Sequence, residues 1–384
     1  MRIAHVSDCF APRVGGIETQ VGDLAAHQVA AGHEVHVLTA TAASPGAAAR
    51  WSGTGTDSRG VVVHRLASRW VGGLPVNPRG TTLLHEVIEE LAPDVVHVHA
   101  GVVSPFAYQG ARVARALRRP LAITWHCMLD GVEPLVRRGA DALGWDGESA
   151  ALSAVSEVAA ERVARSFPVE GAPAEVGVLP NGLTISDWRP SGPPRAADGV
   201  LRLVATQRVA PRKRTRVLVD VLADATAELG RGAVSLTVAG DGPDAGAVRR
   251  HARRRGVADA TTLLGRVPRT SLPQLYAGRD VFVSPARLEA FGIAALEART
   301  AGLPIVARAG TGVASFVADG TDGLLADDDA GLAAAVVRLA RDDALREAIR
   351  DHNRTVAPAA DWADVLSAAE REYARARRLL PFVP

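Results

Sequence analysis

Residues 281–297, VFVSPARLEAFGIAALE, pass from a short apolar run through a polar loop into a helical pattern. VFVS is too short for a helix and is rich in β-branched and aromatic residues, so it reads as a buried strand; the run after Gly292 has helical spacing. The same order recurs outward in both directions. Upstream lie LRLVATQ (201–207), VSLTVAG (234–240) and TTLLG (261–265), and downstream LPIVAR (303–308), with helix-like segments between them. In the first half RIAHVSD (2–8), EVHVLTA (34–40), VVVHRL (61–66), DVVHVHA (94–100), LAITWH (121–126) and ALSAVS (151–156) alternate with segments such as TQVGDLAAHQVAAG (19–32). Strands alternating with helices predict parallel sheets covered on both faces.

The chain has 384 residues, more than one hydrophobic core usually supports. RPSGPPRAADG (189–199) interrupts the alternation with three prolines and two glycines, which is the composition of a linker. The sequence therefore predicts an N-terminal doubly wound domain over residues 1–188, a linker over 189–199 and a second doubly wound domain over 200–361. The segment 362–380, WADVLSAAEREYARARRLL, reads as a terminal helix charged along one side, and by itself as a solvated one. RRHARRR (249–255) reads as an exposed helix face.

Hydrophobic residues make up 47% of the chain and charged residues 22%, and the net charge is +2. That balance gives no whole-protein field for nucleic acid, and no nucleic-acid partner is expected. Cys9 and Cys127 form neither a disulfide framework nor a metal-site spacing. MRIAHVSDCF lacks the charged and apolar regions of a leader, and no apolar run reaches the roughly 18 residues of a membrane span. A reducing cytoplasmic location is expected; peripheral membrane contact stays open, and oligomeric state is not legible.

Four local patterns carry chemistry. Gly15 and Gly16, in VGGIE after the first strand, let a backbone approach a phosphate where a helix N-terminus offers N–H groups. Arg208 and Lys213 follow the strand LRLVATQ and are placed to converge on an anion. Of the 44 basic residues only Lys213 is a lysine, a position that asks for a compact ammonium rather than a planar guanidinium. Gly240, Gly242 and Ala245 have the G-x-G-x-x-A spacing of a dinucleotide loop, but they lie late in their domain and not at its first strand, which disfavours that reading. Finally, Glu289 and Glu297 stand eight positions apart, about 80° of rotation on a continuous helix, so they do not share a face. With Glu289 in the loop and Gly292 opening the helix, an anion at the helix N-terminus would have a carboxylate on either side to accept hydroxyl hydrogen bonds. A sugar joined to a nucleoside through a diphosphate has that order of groups. His97 and His99 lie within a strand and His126 at a strand end.

Together these patterns resemble the retaining nucleotide-sugar glycosyltransferases of family 4, and lesser echoes occur in VHVHA (96–100), AVSEVAAERV (154–163) and LPNGLTISDW (179–188). The resemblance implies an α/β GT-B fold, two Rossmann-like domains facing across a cleft, with the terminal helix crossing back onto the first domain. It implies that Arg208 and Lys213 bind the donor diphosphate, that Glu297 binds the ribose hydroxyls and that Glu289 lies near the donor sugar. His126 matches the histidine beside that sugar. Backbone around Phe291, Gly292 and Ile293, with Gly15 and Gly16, would bind sugar hydroxyls and phosphate. Gly240 and Arg266 are placed with the donor-binding residues, and the base is expected near Gly265 to Val267. Two departures stand out: His126 is followed by Cys127 where the family has glycine, and Lys213 by Arg214 where it commonly has glycine.

The implied reaction is transfer of a hexose-type sugar from a nucleotide-diphosphate sugar to an acceptor, with retention and front-side attack. No cofactor is expected beyond the nucleotide sugar as co-substrate. No metal is expected either, because the two cations and the helix N-terminus supply the neutralisation, and no Asp-x-Asp metal motif is read in the sequence. The base, the sugar and the acceptor are not legible; lipid-linked, polysaccharide and small-molecule acceptors all stay open. Alternatives on the same scaffold are a nucleotide-sugar epimerase or hydrolase, and a non-catalytic carbohydrate-binding protein.

Overall fold

The computed structural model describes residues 1–13, 15–43, 52–67, 77–143, 149–168, 172–189, 192 and 198–380. The chain divides into two compact units. Met1–Gly182 and Trp362–Pro384 form the first, and Leu183–Asp361 forms the second. The change of unit thus falls at Gly182–Leu183, ahead of the Pro- and Gly-rich stretch. Leu183 belongs to the second unit through its N–H, which donates to the carbonyl of Ala360.

In the first unit the elements run β1 (Arg2–Ser7), α1 (Gly16–Ala30), β2 (Glu34–Thr39), β3 (Ser52–Thr56), β4 (Val62–Leu66), α2 (Gly80–Leu91), β5 (Val95–Ala100), α3 (Pro105–Ala116), β6 (Leu121–Trp125), α4 (Glu133–Leu143), β7 (Ala151–Ala154), α5 (Glu157–Ser166) and β8 (Val176–Val178). The strands form one sheet in the order β3-β4-β2-β1-β5-β6-β7-β8. All neighbours are parallel except β3 and β4. The interior strands β5, β6 and β7 are buried along their whole length, which is why they read as continuous apolar runs.

The second unit runs β9 (Leu201–Thr206), α6 (Thr215–Leu229), β10 (Val234–Ala239), α7 (Ala245–Arg254), β11 (Thr261–Gly265), α8 (Leu272–Ala277), β12 (Val281–Ser284), α9 (Ile293–Thr300), β13 (Ile305–Arg308), β14 (Gly323–Ala326), α10 (Asp329–Arg341) and α11 (Asp343–Thr355). Its sheet is wholly parallel, in the order β11-β10-β9-β12-β13-β14. Leu203, Leu218, Leu222, Leu236, Val248, Val283 and Leu332 are among the residues that close its core between the sheet and α6, α7 and α10.

Each sheet reverses direction at its first strand. β1 lies between β2 and β5, and β9 between β10 and β12. Loops leaving the carboxyl ends of two strands that diverge in this way leave a crevice where ligands of such sheets bind.

The last helix, α12 (Trp362–Arg378), corrects the solvated reading of that segment. Its inner face buries Trp362, Val365, Ala368, Ala369, Tyr373 and Ala376 against Ile3, Leu24, Val95, Ala122, Ala151 and Leu179 of the first unit. Charged residues on its outer side hide an apolar stripe with the period of a helix.

Candidate functional site

In the second unit, the loop after β9 and the loop after its neighbour β12 bring predicted residues together. Lys213 Nζ donates to Glu289 Oε2 at 2.5 Å, although the two are 76 residues apart in sequence. Both side chains are mostly but not wholly buried, so the pair can still be reached by a ligand. The ammonium is thus held by the carboxylate rather than left free in the loop. Arg208 is exposed on the same loop; its carbonyl accepts from Ala210 N–H at 2.9 Å, and among the described residues its guanidinium makes no hydrogen bond or ion pair. A held ammonium beside an uncommitted guanidinium is an arrangement that can take up an anion with bidentate contacts.

The loop itself is built to hold that geometry. Glu289 precedes α9, and its carbonyl accepts from Gly312 N–H at 2.8 Å. Gly292 is the residue before α9 and has φ +96, a left-handed conformation that favours glycine; a Cβ there would also press on Val313. Phe291 is buried against Phe316, ring centroids 5.2 Å apart, so its side chain serves packing and its backbone is what a ligand could use. Ile293 opens α9 and is partly exposed.

Glu297 is the fifth residue of α9 and is buried, with Oε1 accepting from Arg269 Nε at 2.9 Å. The Arg269 guanidinium lies over the Trp188 ring, 5.4 Å from its centroid. Nothing in the sequence pointed to Arg269. Tyr276, whose hydroxyl donates to Thr206 at the end of β9, has its pKa pushed far up by burial and then by the Glu297 charge.

Gly240 has φ +142 and lies so close to the loop after β9 that a Cβ would collide with the carbonyl of Gln207. Val209 N–H donates to the Asp241 carbonyl, and Asp244 N–H to the Val209 carbonyl. In the structure the glycines of GDGP back the loop that carries Arg208. Arg266 is exposed just beyond β11.

Arg214 stands where the family commonly has glycine, and its φ of +56 explains that preference. The arginine compensates through two hydrogen bonds to Asp329, at 2.8 and 2.6 Å, and one to the Pro285 carbonyl at 3.1 Å. These hydrogen bonds lower the pKa of Asp329. Asp327, Asp328 and Asp329 do have Asp-x-Asp spacing, which the sequence reading passed over. Asp328 caps α10 by accepting from Gly331 N–H at 2.7 Å, and Asp329 is taken by arginines.

In the first unit, Gly15 caps α1 and Gly16 is its first residue; Val14 lies outside the described residues. Asp8, at the end of β1, was missed. Its carboxylate accepts from the N–H groups of Phe106 (3.0 Å) and Ala107 (3.1 Å) at the start of α3, and burial nevertheless raises its pKa to about 6. Arg137 and Arg138 line an open groove of about 440 Å³ with Glu133, Pro134, Arg165 and Ser166.

His126 follows β6 and joins a buried chain of histidines. Its Nε2 lies 3.0 Å from His99 Nδ1, and His99 Nε2 lies 2.9 Å from His5 Nδ1. Burial lowers the pKa of His5 and His126 to about 4, and holds His97 and His99 well below the usual imidazole value. Nitrogens of His5, His97 and His99 lie close enough together to hold a metal ion, yet each of their ring nitrogens already has a hydrogen-bond partner.

Comparison with known proteins adds a family pattern in each unit. The pattern described as "Glycosyltransferase Family 4" matches residues 14–187, and "Glycosyl transferases group 1" matches residues 194–356. Over its full length the chain is 29% identical to a GDP-mannose-dependent alpha-(1-6)-phosphatidylinositol monomannoside mannosyltransferase of Mycobacterium tuberculosis, covering 98% of that protein. Over 70% of its length it is 33% identical to a 2-deoxystreptamine N-acetyl-D-glucosaminyltransferase of Streptomyces fradiae, covering 66% of that protein. The crystal structure of Anabaena Alr3699/HepE in complex with UDP and glucose superposes with a TM-score of 0.72 at 17% identity, over 98% of this chain and all of the other.

Proposed function

The chain belongs to the nucleotide-sugar glycosyltransferases of the family 4 type, with the GT-B fold, and from that premise we propose that it transfers a hexose with retention and without a metal ion. The observation that carries the reading is the Lys213–Glu289 pair beside the uncommitted Arg208, at the carboxyl ends of the adjacent strands β9 and β12. Arg208 grips the donor diphosphate, and Lys213 supplies positive charge to the leaving phosphate. Glu297 accepts from ribose hydroxyls and Glu289 from a hydroxyl of the sugar.

In the reaction the bond from the anomeric carbon to the diphosphate oxygen breaks while the acceptor oxygen bonds to the same face. The acceptor's proton passes to the departing phosphate. Negative charge grows on that phosphate as the bond breaks, so fixed cations there lower the barrier more than they tighten ground-state binding.

The acceptors named for two relatives, phosphatidylinositol monomannoside and 2-deoxystreptamine, are the first to test, with GDP-mannose and nucleotide-linked N-acetylglucosamine as donors in EDTA. Proton NMR of the early product reads the anomeric configuration. The proposal expects the configuration of the donor to be kept. Inversion, or strict dependence on a divalent cation, would refute it, and rearrangement of donor alone would favour an epimerase.

A further inference from the structure

The histidine chain in the first unit extends from His126 to the two helices α1 and α12. His5 Nε2 lies 2.7 Å from Gln28 Oε1, and Gln28 Nε2 donates to the Tyr373 hydroxyl at 2.8 Å. Tyr373 Oη lies 2.9 Å from His97 Nδ1, and His97 Nε2 lies 2.7 Å from Thr124 Oγ1. Thr124 Oγ1 is 2.8 Å from Ser153 Oγ, which donates to the Ile123 carbonyl at 3.4 Å. Gln28, His5, His97, His99, Thr124, Ser153 and Tyr373 are all at most 3% exposed.

A neutral imidazole has one N–H and one lone pair, so each ring in such a chain passes its hydrogen-bond direction to the next. The end of the chain fixes that direction, because a carbonyl only accepts. Ser153 donates to Ile123, so Thr124 donates to Ser153, His97 donates from Nε2, and Tyr373 donates to His97 Nδ1. Gln28 then donates to Tyr373 and offers its oxygen to His5 Nε2–H. His5 Nδ1 accepts from His99 Nε2–H, and His99 Nδ1 accepts from His126 Nε2–H. Every bond in the chain is satisfied by this one assignment. Flipping the Gln28 amide would reverse all the histidines together and break the Ser153 hydroxyl's bond to the Ile123 carbonyl.

We propose that Gln28 and Tyr373 are positioning residues that fix the tautomer of His126, with the proton on Nε2 and a bare lone pair on Nδ1. No described residue donates to that Nδ1. The functional consequence rests on the reading of His126 as the histidine beside the donor sugar: the sugar must then present a hydroxyl that donates to His126, and a group that only accepts would be rejected. A terminal helix nearly 250 residues away in sequence thereby helps to set the hydrogen-bond polarity at His126.

Long-range proton–nitrogen correlation spectra of protein labelled with 15N-histidine test this directly. In the wild type His5, His97, His99 and His126 are expected as Nε2–H tautomers at pH 7.5; an Nδ1–H signal for His126 would overturn the proposal without any variant. Gln28→Met removes the acceptor for His5 and should give His126 a mixture of tautomers. Turnover is expected to fall about tenfold, the scale of one misdirected hydrogen bond, with unchanged affinity for the nucleoside diphosphate. Gln28→Glu still accepts from His5 and should keep the Nε2–H signal and most of the turnover. If His126 stays wholly Nε2–H in folded Gln28→Met, Gln28 does not set it and the proposal fails. A shifted tautomer with unchanged turnover would instead leave the hydrogen-bond chain standing and remove His126 from the sugar's side.

Discussion

Lys213 carries the only lysine ammonium of the chain and meets Glu289 at 2.5 Å. If that ammonium stabilises charge on the leaving phosphate, Lys213→Ala should cut turnover by roughly 10² to 10³, the scale of losing one transition-state donor. A loss of only a few-fold in steady-state assays would remove Lys213 from the mechanism. Glu289→Gln should act in the opposite sense on binding. It frees the ammonium from a competing charge, so nucleoside diphosphate should bind tighter by titration calorimetry while transfer slows; weaker binding would contradict the pairing. Arg214 offers a test of backbone conformation. Its left-handed φ costs about 1 kcal/mol for any residue but glycine, and its side chain offsets this through Asp329. Arg214→Gly should therefore unfold in denaturant at a higher midpoint than Arg214→Ala, a difference of about 1 kcal/mol in unfolding free energy. Equal midpoints would mean that the φ carries no strain.

At the scale of elements, α12 is the piece whose role its own sequence conceals. Trp362 is buried and stacks on His27 with ring centroids 4.4 Å apart, so Trp362→Ala should cost the first unit about 3 to 5 kcal/mol in denaturant titrations. A cost below about 1 kcal/mol would mean that the helix is not docked. The strands β1, β2, β4, β5, β6, β7, β9, β10, β11, β12 and β13 were legible because they are short runs rich in apolar and β-branched residues, as strands of covered parallel sheets are. β3 (SGTGT), β8 (VGV) and β14 (GLLA) were not, being short, rich in small residues and placed at or next to sheet edges. Gly292 and the offset of Glu289 from Glu297 were readable because they depend on positions close in sequence. The pairing of Lys213 with Glu289, of Arg269 with Glu297 and of Gln28 with Tyr373 depends on which strands and helices become neighbours, and no local spacing encodes that.

The molecule as a whole couples its fold to protonation through the buried histidines. Their folded pKa values lie below the usual value near 6.5, at about 4 for His5 and His126 and well below the usual value for His97 and His99, because burial disfavours the charged ring. The unfolded chain therefore binds more protons between about pH 6.5 and 4, and stability falls as the pH drops through that window by about 1.4 kcal/mol per pH unit for each proton of difference. Asp8, raised to about 6, has the opposite sign, since its folded form holds a proton that the unfolded form has lost, but it is one group against several. Denaturant midpoints should be lower at pH 5 than at pH 7.5; an equal or higher midpoint at pH 5 would mean that the cluster is not buried and neutral.

Among the described residues no helix is long and apolar enough to cross a membrane, and the two sheets each offer a crevice at a strand reversal. The most direct measurement is a thermal-shift series with GDP, UDP, ADP and dTDP in EDTA, on wild type and on the Arg208→Ala/Lys213→Ala double variant. A nucleotide at 100 times its dissociation constant adds about 2.7 kcal/mol to stability. The expected result is a clear rise in Tm with one nucleotide in the wild type, and loss of that rise in a variant whose unliganded Tm is unchanged. A rise that persists in the double variant, or that appears only when a divalent cation is supplied, would contradict a metal-free diphosphate site at the ends of β9 and β12.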